Sequence, residues 1–127
     1  MYRIGKRFRF EAAHSLPRLP DGHKCKRDHG HSYQVAVILE APKLNAFDFV
    51  VDYGDLDWFK MLIDERYDHR NLNEVFDEIY GVGEVMTTAE NLARHFYEIV
   101  APAYTKLARV TVRVNETVNT FAEYTDG

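Results

Sequence analysis

An α+β fold of order ββααββ, an antiparallel four-stranded sheet with two helices on one face, is what the sequence predicts, and three observations predict it. Two stretches alternating apolar and polar residues open the chain, two apolar stripes of helical spacing fill its middle, and a second pair of alternations closes it. With 127 residues, 46% of them hydrophobic, residues 1–127 are expected to fold as one domain with a real core.

The first strand covers residues 2 to 14. Phe8, Phe10 and Ala12 point one way, Arg7, Arg9 and Glu11 the other, and His14 falls on the apolar side. A Gly-, Pro- and charge-rich loop from Leu16 to Asp28 follows, then a second strand over residues 29 to 40. There Tyr33, Val35, Val37 and Leu39 share a face with His29 and His31. Ala41 to Asp48 reads as another surface loop. Asp52 can cap a helix whose stripe is Leu56, Phe59, Leu62 and Ile63, with its stop near Tyr67 and a turn at Asn71-Leu72-Asn73.

Thr87-Thr88-Ala89-Glu90 has the form of a capping box, with Thr87 as N-cap and Glu90 reaching back. It precedes a stripe of Ala89, Leu92, Ala93, Phe96 and Val100, and Pro102 is expected to end that helix. Val110, Val112 and Val114 then alternate with Thr111, Arg113 and Asn115, and a turn at Val118-Asn119 leads to a short strand from Phe121 to Tyr124. Such a sheet has open edges, so edge pairing with further copies is expected to produce a homo-oligomer.

Charge narrows the function. Twenty acidic against sixteen basic residues, net −4, give no bulk affinity for nucleic acid or anionic lipid. No apolar run nears the roughly 20 residues that span a bilayer, and Met1-Tyr2-Arg3 leads directly into a strand, so a soluble, cytoplasmic protein is expected. The single cysteine, Cys25, cannot form an intrachain disulfide. An isolated cysteine is most often a small buried apolar residue, but Lys24, Lys26 and Arg27 around this one favour a thiolate. The same three cations form either a patch for an anionic small molecule or a solvated charged loop.

The residues richest in chemistry are His14, His29 and His31. On a strand, His29 and His31 share a face, and His14 ends the neighbouring strand on the same side; three imidazoles can hold a zinc ion and leave its fourth tetrahedral position open. His23 lies in a loop, and His95 reads as a surface or interface residue of the second helix; both stay outside this set. Asp68-His69 offers either a carboxylate-supported proton shuttle or a histidine favoured at a helix C-terminus. Glu116 has the parity of Val110, Val112 and Val114, which puts a carboxylate at the end of an apolar face. It either turns to solvent or meets a partner such as a heterocycle bearing an amino group beside a ring N–H.

Taken together, Phe10-Glu11-Ala12-Ala13-His14, the run Gly22-His23-Lys24-Cys25-Lys26-Arg27-Asp28-His29-Gly30-His31-Ser32-Tyr33, Asp68-His69-Arg70-Asn71-Leu72-Asn73, Thr88-Ala89-Glu90-Asn91-Leu92-Ala93 and Glu116-Thr117 closely resemble the 6-pyruvoyltetrahydropterin synthase family. The Lys24 to Ser32 stretch is most similar to its bacterial branch making 6-carboxytetrahydropterin for 7-deazaguanine and queuosine. The resemblance implies a tunnelling fold (T-fold) whose sheets close a barrel in trimers that stack as hexamers. It implies zinc on His14, His29 and His31, catalysis by Cys25, Asp68 and His69, and a pterin ring anchored by Glu116.

By the same resemblance the substrate is a pterin triphosphate, 7,8-dihydroneopterin triphosphate, and the products are 6-carboxytetrahydropterin, triphosphate and acetaldehyde. Lys24, Lys26 and Arg27 are then candidates to meet the triphosphate, on charge and nearness to Cys25 alone. The alternatives are a 6-pyruvoyltetrahydropterin synthase, which stops before carbon loss, and a noncatalytic zinc- or pterin-binding module. A folate branch typically carries Glu where Cys25 stands. Two departures from the family pattern concern loop conformation and substrate fit: Asp48-Phe49 ahead of Val50-Val51-Asp52-Tyr53, and Thr87 where Pro is frequent.

Overall fold

Two thirteen-residue strands, β1 (Tyr2–His14) and β2 (His29–Ala41), pair antiparallel along their whole length in the computed structural model, which describes residues 1–127. Their register sets Tyr2 opposite Ala41 and His14 opposite His29. α1 (Asp57–Arg66) follows a single 3-10 turn, Tyr53–Leu56, whose N-cap is Asp52: its carboxylate accepts from the Gly54 N–H at 2.9 Å. Then come the two-residue β3 (Arg70–Asn71), α2 (Leu72–Tyr80), α3 (Ala89–Tyr104), β4 (Arg109–Thr117) and β5 (Thr120–Thr125). The sheet order is β3-β1-β2-β4-β5, antiparallel except where β3 runs parallel to β1 at Ala12 and Ala13.

The α+β class and the four long strands follow the sequence pattern, with two additions. The fifth strand, β3, is one. The other is α2, where a turn was expected: Asn71 is its N-cap, accepting from the Asn73 N–H at 3.0 Å, and Leu72 and Phe76 bury one face. The three helices lie on the side of the sheet carrying Phe8, Phe10, Tyr33, Val35, Val37, Leu39, Val110, Val112 and Val114, all in one core. Phe59 from α1 sets its ring edge-on to Phe8 (5.2 Å) and Phe96 of α3 (5.7 Å), while Phe10 stacks on Tyr33 at 5.0 Å. Truncating any of these rings to Ala costs about 3–5 kcal/mol.

Three further expectations are corrected. The N-cap of α3 is Thr88, whose hydroxyl accepts from the Asn91 N–H at 3.2 Å, not Thr87. Pro102 lies inside α3, which continues to Tyr104. The carbonyl left without its helical donor belongs to Glu98, an exposed residue, so water can satisfy it. His95 is buried, not superficial, because Phe76, Tyr67 and Tyr80 close over that face of α3.

Candidate metal centre and adjoining groove

Register alone brings the histidines together. His14 faces His29 across the β1–β2 ladder, Ala12 faces His31, and the ring centroids lie 4.6 Å (His14–His29), 5.2 Å (His14–His31) and 4.8 Å (His29–His31) apart. The β2–β4 register, continued one step past Gln34–Asn115, brings Glu116 beside Tyr33. An extra residue between Val114 and Thr117, relative to β5, makes a bulge at this point of β4. One ligand atom from each of His14, His29, His31 and Glu116 can be chosen so that all four lie within 4.8 Å of one another.

The protonation of the cluster follows from its supports. His14 Nδ1 donates to the Thr87 carbonyl at 2.9 Å, with the Thr87 hydroxyl at 3.0 Å, and His29 Nδ1 donates to the Arg27 carbonyl at 2.8 Å. A carbonyl only accepts, so each Nδ1 carries the proton and each Nε2 presents a lone pair. The Nε2 atoms of His14, His29 and His31 are buried and make no hydrogen bond. Glu116 Oε1 lies 3.0 Å from those of His14 and His31. Contact with His14 holds the Glu116 carboxyl below the usual carboxylate range against the opposing effect of burial, while burial holds His31 below the usual imidazole range. Converging lone pairs around a carboxylate oxygen suit a divalent cation, and the nitrogen-rich donor set suits zinc.

Asp68 and His69 leave α1 beside β1. His69 adopts a left-handed φ of 59°, uncommon for a residue with a Cβ, and is fixed there by its N–H donating to the Glu11 carbonyl at 2.6 Å. The Glu11 N–H in turn donates to Asp68 Oδ1 at 2.8 Å. This backbone turn lets neighbouring side chains meet: Asp68 Oδ2 lies 2.9 Å from His69 Nδ1. The Glu11 N–H first, and His69 second, hold the Asp68 carboxyl below its ordinary range. With Nδ1 held by Asp68, His69 Nε2 is left free, and His69 lines an open groove of about 560 Å³ together with Glu11, Ala13, Gly30, His31, Ser32 and Arg70 among others. His31 and His69 both border this groove, while His31 Nε2 itself is buried.

Cys25 sits half-buried in a 3-10 turn, Lys24–Lys26, capped by His23 Nδ1, which accepts from the Cys25 N–H at 3.1 Å. The Leu16 N–H donates to the Cys25 carbonyl at 2.9 Å, folding this turn back toward the end of β1 that carries His14. Neither Cys25 nor Lys24, Lys26, Arg27 or Glu116 lines the groove shared by His31 and His69. Lys26 is engaged by Asp21, while Lys24 and Arg27 are exposed.

Sequence reasoning missed two supports. Thr87, taken for a cap, is fully buried against His14. Asn73 ties α2 to the residue after His14, accepting from the Ser15 N–H at 2.8 Å and donating to its carbonyl at 2.9 Å. The Asn71-x-Asn73 pair was the available signal, since Asn residues at a helix start serve backbone groups.

A family model described as 6-pyruvoyl tetrahydropterin synthase matches residues 3–127. Among curated proteins, the 6-carboxy-5,6,7,8-tetrahydropterin synthase of Bacillus subtilis is 30% identical over 127 residues, covering 97% of this chain and 84% of that protein. The enzyme of the same name from Haemophilus influenzae is 30% identical over 145 residues, covering 98% and 99%. Among solved structures, Caenorhabditis elegans 6-pyruvoyl tetrahydropterin synthase superposes with a TM-score of 0.80 at 25% identity, covering 99% of this chain and 96% of that one. An uncharacterized protein from Wolinella succinogenes, at 22% identity and TM-score 0.82, shares the fold.

Proposed function

The chain belongs to the 6-pyruvoyl tetrahydropterin synthase family, and from that premise we propose that it is a zinc-dependent 6-carboxy-5,6,7,8-tetrahydropterin synthase. It converts 7,8-dihydroneopterin triphosphate into 6-carboxytetrahydropterin, triphosphate and acetaldehyde, serving 7-deazaguanine biosynthesis. Relatives at 30% identity over nearly the whole chain carry that name. The observation that carries the reading is the trio of buried, partnerless Nε2 atoms of His14, His29 and His31.

Zinc on His14, His29 and His31 would supply Lewis acidity toward the side-chain hydroxyls of the substrate. Cys25, as thiolate, takes the proton from the substrate side-chain carbon. His69 passes a proton between that side chain and the pterin ring, its Nδ1–H held by the ionised Asp68 so that Nε2 faces the groove. Glu116 accepts from the pterin amino group and adjacent ring N–H, and Lys24, Lys26 and Arg27 meet the triphosphate. The working unit is a homo-oligomer of three or six chains, in the cytoplasm.

Incubating zinc-loaded protein with dihydroneopterin triphosphate and weighing every product tests this. Carboxypterin with acetaldehyde is the expected result. A pyruvoyl product would place the chain with the synthase that stops before carbon loss, and no turnover would make it a binding module.

A further inference from the structure

Resting on the reading of a zinc site that takes a pterin, the position of Glu116 points further: we propose that in the substrate-free protein Glu116 is the fourth zinc ligand, and that the arriving pterin draws it off. The sequence alone suggested a site with one open position. The structure fills that position from within the chain.

Distance supports the ligand role. A tetrahedral ion with bonds of about 2.1 Å spaces its ligand atoms about 3.4 Å apart. Glu116 Oε1 stands 3.0 Å from both His14 Nε2 and His31 Nε2, and none of the four ligand atoms is more than 4.8 Å from another. The His14 proton sits on Nδ1, given to the Thr87 carbonyl, so His14 Nε2 has none to offer the carboxylate and a shared cation reconciles their 3.0 Å approach. Strand parity with Val112 and Val114, in the register that faces β2, provides the aim.

The same surroundings decide which ligand can leave. His14 and His29 are held from behind by main-chain carbonyls, of Thr87 and Arg27, and the His14 side chain is 0% exposed. Glu116 has no comparable restraint. Its side chain is 26% exposed, and it lies two residues from the open turn at Val118, so rotating its side-chain torsions suffices to withdraw it. What can draw it away is a better pair of donors. A pterin offers an amino group and a ring N–H side by side, matching both carboxylate oxygens. Binding the ring then vacates one coordination position, so ring recognition and exposure of the metal become one event.

Cobalt(II) in place of zinc provides the readout, because its visible bands follow the donor set. Wild-type and Glu116→Gln proteins are compared first without ligand. Different spectra are expected, with cobalt dissociation constants at least about tenfold higher in the variant. Identical spectra and affinities would overturn the ligand assignment. Pterin itself, which has the ring but no hydroxylated side chain, is then titrated into wild type while calorimetry records binding. The wild-type spectrum is expected to move to that of unliganded Glu116→Gln. Binding without a spectral change would overturn displacement. Absence of binding would overturn displacement together with the pterin reading, while leaving the resting ligand set tested by the first comparison. Should Glu116→Gln fail to fold, the infrared difference spectrum of wild type on zinc addition decides: a shift of the carboxylate stretching bands is expected, and its absence overturns the assignment.

Discussion

Thr87 holds His14 from behind with its carbonyl and touches the same Nδ1 with its hydroxyl, so it would act on a metal at the cluster without touching it. Thr87→Val removes the hydroxyl and keeps volume and carbonyl. Metal affinity is expected to fall about tenfold, the low end for loss of such a support, as measured by competition with a chromogenic chelator. Unchanged affinity would show that the carbonyl alone suffices. Cys25, the proposed base, is the opposite case, since it lies outside the ligand cluster. Cys25→Ala is expected to reduce turnover about 10²- to 10⁴-fold while metal content and pterin affinity stay at wild-type values; full turnover would remove the proposed base. The parity of His14, His29 and His31 was legible because a strand repeats every two residues. The role of Thr87 was not, because its shorter contact uses a main-chain carbonyl that any residue would supply.

The elements that escaped the sequence are those defined by contacts between distant segments. Leu72, Phe76 and Ile79 carry helical spacing, yet Asn71 and Asn73 suggested a turn until Ser15, 58 residues away, supplied the partner of Asn73. Likewise His95 looks superficial on α3 alone and is buried by Tyr67, directly after α1, and Tyr80, the last residue of α2. Its Nε2 lies 2.7 Å from the Tyr67 hydroxyl and its Nδ1 2.5 Å from that of Tyr80. A neutral imidazole has one donor and one acceptor, so one tyrosine donates and the other accepts. Burial pulls the His95 pKa down to about 4, and Glu98 only partly opposes it. The folded state therefore prefers neutral His95. Its contribution is complete above the ordinary value of 6.5 and is lost as pH falls from there toward 4. The ceiling on that loss is about 3 kcal/mol. Denaturant melts at pH 7.5 and 4.5 should show wild type losing about 2–3 kcal/mol more than His95→Gln, which cannot take up a proton at these pH values. Equal losses would show that His95 is not the group titrating.

At the scale of the molecule, one sheet face is covered by three helices and the other is bare. β1 is paired on its outer side only at Ala12 and Ala13, and β5 has no neighbour beyond it, so both long edges offer unpaired backbone groups. The bare face carries Arg3, Arg7 and Arg113 around Ala36 and Ile38, whose small exposure reflects cover by arginine stems and not by another layer. Pairing β5 of one copy with β1 of the next satisfies both edges at once. Repeated around an axis, it closes a barrel that encloses the arginine-lined face, and closure removes edges where a linear array would leave two. Light scattering behind size exclusion is therefore expected to give a mass of three or six times the 14.8 kDa chain, unchanged on dilution through the micromolar range. A 14.8 kDa species at tens of micromolar would mean that the edges are protected within the monomer, and the barrel would have to be abandoned.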